Sequence, residues 1–225
     1  MTHAAAIDRR SILAASVCGV ACFVLVAGLL FELTTIAAIA KLVASAAFIV
    51  VALVAGAMDS RYGRVVLTGL VLSWFGDAFL IGTTQRLFLF GLVSFLCAHV
   101  AYATAFITLG VERRWTLSAA GAIVVVAALV LTWLAPYLPA GLVWPVRIYT
   151  AVISLMVITA FGTLGAGASP LIVSGAVLFF MSDLSVAAMR FTEPLFATYV
   201  FGLPLYYAGQ LCLALSVATV QSADR

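Results

Sequence analysis

Charge is what this chain has least of. Asp, Glu, Lys and Arg make up only 8% of its 225 residues, while 66% are hydrophobic. A soluble domain needs about a quarter of its residues charged, so the composition excludes one and implies an integral membrane protein. Histidine is scarcer still: His3 and His99 are the only two. A metal hydrolase of the seven-helix type needs two or three histidines within its spans, and the spans hold one. Cys18, Cys22, Cys97 and Cys212 all fall in apolar stretches with no CxxC spacing, which excludes a disulfide framework and a zinc site. Cys18 and Cys22, one helical turn apart, read as core packing. There is no GxSxG elbow for a serine hydrolase, no cofactor motif and no large loop to dock a protein partner. The net charge of +3 carries no nucleic-acid signal, because the arginines stand at the ends of apolar runs rather than on one face.

What the chain has is long apolar runs. Eight are visible, over 12–31, 34–57, 65–82, 87–110, 115–135, 142–164, 169–189 and 199–219. At ~1.5 Å per residue, ~20 residues cross a ~30 Å hydrocarbon core. The punctuation between them is short: Asp59-Ser60-Arg61-Tyr62-Gly63-Arg64, Glu112-Arg113-Arg114, Pro136-Tyr137-Leu138-Pro139, Gly165-Ala166-Gly167 and Glu193-Pro194. Asp8-Arg9-Arg10 before the first run has the look of a signal peptide. That run is long enough to span, however, and no small-x-small cleavage site ends it, so it reads as a retained transmembrane helix. The expectation is an all-α polytopic membrane protein, eight transmembrane helices in a single domain over 1–225. Counting basic residues sets the orientation. With the N-terminus inside, Arg9, Arg10, Arg61, Arg64, Arg113, Arg114 and Arg225 are cytoplasmic and only Arg86, Arg147 and Arg190 are not. Both termini are therefore expected in the cytoplasm, in a bacterial inner (plasma) membrane.

Two aspartates interrupt the apolar runs, and their surroundings match. Thr68-Gly69-Leu70-Val71-Leu72 precedes Asp77, and Ser174-Gly175-Ala176-Val177-Leu178 precedes Asp183, 106 residues later. A carboxylate in a hydrocarbon span costs about 2.5–3.5 kcal/mol by insertion scales, so such residues are seldom accidental. Two in equivalent places suggest an internal duplication, with halves 1–111 and 112–225, and a paired-acid site. Four spans per half insert both halves the same way up, related by an axis along the membrane normal. The same offset carries Lys41 onto Arg147, and a small insertion sets His99 and Tyr102 opposite Tyr207 and Gln210.

Depth concentrates the polar residues. Asp77 lies roughly 8 Å and Asp183 about 10 Å from the outer ends of their helices. Lys41, Arg147, Tyr206, Tyr207 and Gln210 share that outer half, His99 is nearer the middle, and the inner half is Val, Ala, Leu and Ile. The asymmetry predicts one polar cavity opening toward the non-cytoplasmic side. Gly91, Phe95, His99, Tyr102 and Phe106 form one helical stripe; Ser73 shares a face with Asp77, Tyr206 with Gln210, and Asp183 with Arg190. Lipid cannot satisfy such stripes, so they face the bundle interior. Ion pairs that merely fix helix packing, Asp77 with Lys41 or Asp183 with Arg190, are the plainer reading. Two acids with two bases at one depth favour a functional site.

These residues form a recognisable set. Gly76-Asp77-Ala78-Phe79-Leu80 resembles the GDxxL signature of the YhhN/TMEM86 family of membrane lysoplasmalogenases. Phe88, Gly91, Phe95, His99 and Tyr102 are similar to that family's FxxGxxxFxxxHxxY helix. Pro145-Val146-Arg147-Ile148-Tyr149 with Ile153, Ser154 and Met156 resembles its sixth helix, Ser182-Asp183 its second acidic motif, and Tyr206-Tyr207-Ala208-Gly209-Gln210 its closing helix. The similarity runs from the second helix to the end. One departure is Leu42 after Lys41, where the family tends to place proline.

The resemblance implies a hydrolase for the vinyl ether of lysoplasmalogens, yielding a fatty aldehyde and a glycerophospho-ethanolamine or -choline, with no metal or cofactor. Its partners would be the lysophospholipid substrate and the bilayer. A vinyl ether hydrolyses by protonation of its β-carbon, capture of the oxocarbenium ion by water, and collapse of the hemiacetal. Asp77 and Asp183 would be the catalytic pair, one holding the proton and the other ionised, as glycosidases meet a related oxocarbenium problem. Lys41, Arg147 or Arg190 would bind the phosphate. His99, Tyr102, Tyr149 and Gln210, with Ser182 and Tyr207 from the family motifs, complete the expected substrate site. The rival reading is a proton-coupled transporter, which also uses repeats and membrane acids. Against it, neither acid lies in a helix broken by proline, and the polar set stops short of the cytoplasmic half.

Overall fold

A computed structural model of the protein describes residues 8–223, which leaves His3 and Arg225 outside the described residues. All its regular elements are helical. Eight long helices follow one another: α1 Arg9–Leu30, α2 Thr34–Val54, α3 Arg61–Phe79, α4 Gln85–Thr108, α5 Arg113–Leu134, α6 Val143–Gly165, α7 Pro170–Phe191 and α8 Tyr199–Ala223. Seven are long and apolar enough to cross a membrane; α3, which carries Arg61, Arg64 and Asp77, is not among them.

Helix ends follow local chemistry. Ser60 accepts from the Gly63 amide, Thr84 from Leu87 and Glu112 from Trp115, which start α3, α4 and α5 slightly before the apolar runs do. Ser169 caps α7, with Pro170 in its first turn. The second apolar run stops being helix at Val54 because Gly56 takes a left-handed φ of 84° and turns the chain into the short 3-10 segment Ala57–Asp59.

Consecutive helices pack as hairpins: α1 with α2, α3 with α4, α5 with α6, α7 with α8. Across the bundle α2 packs on α8 and α4 on α6, while α2 meets α3 and α6 meets α7. Small residues permit the close approaches, as expected where lipid supplies no hydrophobic drive between helices. The repeated glycines show this directly. A β-carbon on Gly69 would enter the Tyr102 ring of α4, and one on Gly175 would stand 2.7 Å from Leu213 of α8. Helix α5 is peripheral and buries only Leu134.

The bundle is asymmetric along its length. The arginine-rich end carries the loops 55–60, 109–112 and 166–169, and the helices there bury Phe48, Val51, Phe106, Met156 and Leu213 completely. Tyr62 and Ser216 are joined there by a buried 2.6 Å hydrogen bond. The opposite end carries the loops 31–33, 80–84, 135–142 and 192–198, and the polar residues sit beneath it.

Candidate active site

Two carboxylates face one cavity. It encloses about 120 Å³ and is lined by Lys41, Asp77, Tyr149, Ser182, Asp183, Arg190 and Tyr206 among Leu80 and apolar side chains from α4 to α8. A second cavity of about 550 Å³ lies nearer the 31–33 and 80–84 loops and shares Lys41, Phe88, Ser182, Arg190 and Leu203 with the first. The larger space therefore serves as a vestibule, with Lys41 and Arg190 at the boundary.

Asp77 is saturated. Lys41 Nζ lies 3.4 Å from Oδ1, Ser45 donates to Oδ2 at 2.5 Å, and Tyr206 donates to the same oxygen at 2.7 Å. Only 3% of its side chain is exposed. The donors come from α2 and α8, so three helices build this carboxylate's surroundings. Tyr207 lies behind, donating to the Lys41 carbonyl at 3.3 Å.

Asp183 is held on one side only. Tyr149 donates to its Oδ2 at 2.7 Å, and His99 Nε2 stands 3.3 Å from that oxygen and 2.9 Å from the Tyr149 hydroxyl. Since the single Tyr149 hydrogen goes to Asp183, the His99 hydrogen belongs on Nε2, leaving Nδ1 buried without a partner. The Asp183 side chain is 19% exposed, into the cavity. Here too three helices converge, α7 with α6 and α4.

A third group extends behind Tyr206. Ser73 reaches Tyr102 at 3.3 Å, and Tyr102 donates to Gln210 Oε1 at 2.8 Å. Both Tyr102 and Gln210 are fully buried and neither lines the cavity.

Of the residues expected from the sequence, Lys41, Asp77, Tyr149, Ser182, Asp183 and Arg190 line the cavity itself. His99 reaches it only through Tyr149 and Asp183, and Tyr102, Tyr207 and Gln210 stand in the layer behind. Arg147 is brought nowhere near: it is exposed, with its guanidinium carbon 5.3 Å from the Trp144 ring centre. The cavity stripe of α6 is Val146, Tyr149, Thr150 and Ile153, and Arg147 is off it. Sequence reasoning missed Ser45 and Tyr206 as ligands of Asp77. Both carried a signal, Ser45 one turn after Lys41 and Tyr206 one turn before Gln210. Arg190 lies with its guanidinium carbon 4.5 Å from the centre of the Phe88 ring.

The YhhN family model matches residues 33–217, which contain every residue of the cavity. Two curated relatives named "Lysoplasmalogenase TMEM86A" are 34% identical, from Bos taurus over 163 residues and from Homo sapiens over 157. Each match covers 67% of this chain and 64% of the relative, so the chain spans just under two thirds of their length. No solved structure matches the chain.

Proposed function

Because the chain belongs to the YhhN family, we propose that its cavity hydrolyses the vinyl ether bond of lysoplasmalogens, releasing a fatty aldehyde and a glycerophospho-headgroup. The observation that carries this reading is the pair of carboxylates on one apolar cavity, with a basic residue at its mouth.

The enol ether enters between Asp77 and Asp183, where water and apolar chain meet. One carboxyl protonates the β-carbon, and the fixed negative charge of the other stabilises the oxocarbenium ion in a site where electrostatic effects are little screened. The phosphate belongs at Arg190. Lys41 is already paired with Asp77, and Arg147 points away, so Arg190 is the cation at the vestibule boundary whose fork is free for a phosphate. The spacing suits the substrate. Arg190 is seven residues along α7 from Asp183, roughly 10 Å of helix rise. Seven bonds separate the phosphorus from the vinyl β-carbon, about 8–9 Å when extended, and the arginine side chain bridges the remainder. The inner cavity then holds the enol ether and the start of the chain.

A proton-coupled transporter is not favoured. The relatives carry hydrolase names, and beyond Gln210 the helices bury Phe48, Val51, Phe106, Met156 and Leu213 completely, with polar side chains concentrated at the other end. The distribution of arginines supports an orientation with the arginine-rich end in the cytoplasm and the vestibule on the other side of the membrane.

Aldehyde release from alkenyl lysophospholipid by the purified chain tests the proposal. The parent is expected to produce aldehyde and glycerophospho-headgroup in equal amounts, and Asp77→Asn and Asp183→Asn to lose about 10²–10⁴-fold in turnover. A parent inactive on both headgroups, or two asparagine variants of near-normal activity, would sink it.

A further inference from the structure

The two carboxylates occupy equivalent helices yet are bonded differently, and the difference divides their labour. Both Asp77 oxygens are engaged, Oδ1 by an ammonium and Oδ2 by two hydroxyls. To take or give a proton it would have to release a donor and leave Lys41 as an uncompensated charge among apolar helices, which is costly. Every contact to Asp183, by contrast, falls on Oδ2. Its Oδ1 has no hydrogen-bond partner among the described residues and the carboxyl opens to the cavity.

We infer that Asp183 is the one carboxyl that moves protons, through Oδ1, while Asp77, held by Lys41 and two hydroxyls, is the fixed anion that faces the oxocarbenium ion, and that His99 and Tyr149 are positioning residues for Asp183. This rests on the hydrolase reading above. The steps balance with one water. Asp183 gives its Oδ1 proton to the vinyl β-carbon, the π pair forming the new C–H bond and the ether oxygen's lone pair completing the oxocarbenium ion. Water adds to the cationic carbon while Asp183, now a carboxylate, takes its proton. The hemiacetal then breaks its bond to the glycerol oxygen, which leaves as the alcohol with the hydroxyl proton, and the aldehyde remains. The enzyme ends with the proton back on Asp183.

His99 is completely buried and does not line the cavity, so it acts on substrate only through the Oδ2 side of Asp183. The Tyr149 hydrogen bond to Oδ2, held in place by the His99 Nε2–H on the Tyr149 oxygen, fixes the carboxyl plane and leaves Oδ1 as the oxygen presented to the β-carbon. The contrast is built at the level of helices. Asp77 on α3 receives donors from α2 and α8, whereas Asp183 on α7 receives one from Tyr149 of α6, which His99 of α4 supports, and only the first set includes a cation.

Infrared spectra of the purified full chain at neutral pH test the assignment directly, because a protonated carboxyl in an apolar site gives a carbonyl band separate from that of ionised acids. The band is expected in the parent, retained in Asp77→Asn, lost in Asp183→Asn and moved in Asp183→Glu, which keeps a carboxyl there. Absence of the band in the parent, its survival in Asp183→Asn, or its loss in Asp77→Asn overturns the assignment. Tyr149→Phe should lower kcat about tenfold or more with KM nearly unchanged; a change confined to KM would make Tyr149 a binding group and overturn its positioning role. A parent that shows the Asp183 band but releases no aldehyde would remove the reaction and keep the proton placement, so the two failures are distinguishable.

Discussion

Arg190 and Arg147 show what a single side chain decides. Both were expected to reach phosphate, both are exposed, and each lies on an aromatic ring. Only Arg190 borders the vestibule and the inner cavity together. Arg190→Ala should therefore raise KM about 10–100-fold, the scale of one charge-assisted contact, with kcat less affected. Arg147→Ala should leave both within about twofold, as surface substitutions do. Steady-state kinetics on the two variants would check the pair, and equal losses would contradict the geometry. Tyr206 and Tyr207 make the same point one residue apart. Neighbouring positions in a helix point about 100° apart. Tyr206 thus reaches Asp77, while Tyr207 turns toward α2 and the Lys41 carbonyl.

At the scale of elements, the repeated glycines let α3 and α7 approach their hairpin partners closely. Gly69→Leu forces a side chain into the space of the Tyr102 ring, and Gly175→Leu into that of Leu213. Each should destabilise by about 1–3 kcal/mol, the cost of overpacking a close contact, and lower the thermal unfolding midpoint in detergent. Gly19, with open space beside it, is the control: Gly19→Ala should leave the midpoint unchanged or raise it slightly, since alanine favours a helix interior. Helix existence was fully legible, since eight apolar runs became eight helices. Their ends were less so. Caps such as Ser60 and Thr84 extend helices beyond the apolar stretch, and a left-handed glycine cuts α2 short.

At the scale of the molecule, most of the main helix pairings repeat, although α1–α8 and α3–α8 have no counterpart of similar extent. Under a shift of four helices, the pairings α1–α2, α2–α3, α3–α4 and α2–α8 map onto α5–α6, α6–α7, α7–α8 and α6–α4, all of which occur. That correspondence supports the proposed duplication into halves 1–111 and 112–225. Orientation makes a separate prediction. In a cysteine-free background, Glu193→Cys at the vestibule end should react with an impermeant thiol reagent added outside intact cells. Arg114→Cys, at the opposite end, should react only after the membrane is opened. The reverse pattern would invert the topology and place the vestibule in the cytoplasm.

The amino-acid sequence by itself determined the membrane class and the number of helices, because hydropathy and run length are local properties. The distance of each acid from its helix end was not legible, since α3 stops at Phe79, two residues after Asp77, while α7 runs on to Phe191. The offset of 106 residues between Asp77 and Asp183 was visible in one dimension. Only the tertiary structure decided which groups hold each carboxylate. Tyr206 meets Asp77 across 129 residues of chain, and Tyr149 meets Asp183 across 34. Those partnerships depend on how each helix is rotated about its axis, and that rotation is fixed by close packing against neighbours that no single stretch of sequence contains. The same rotation turned Arg147 outward and left Asp183 with one oxygen open to the cavity.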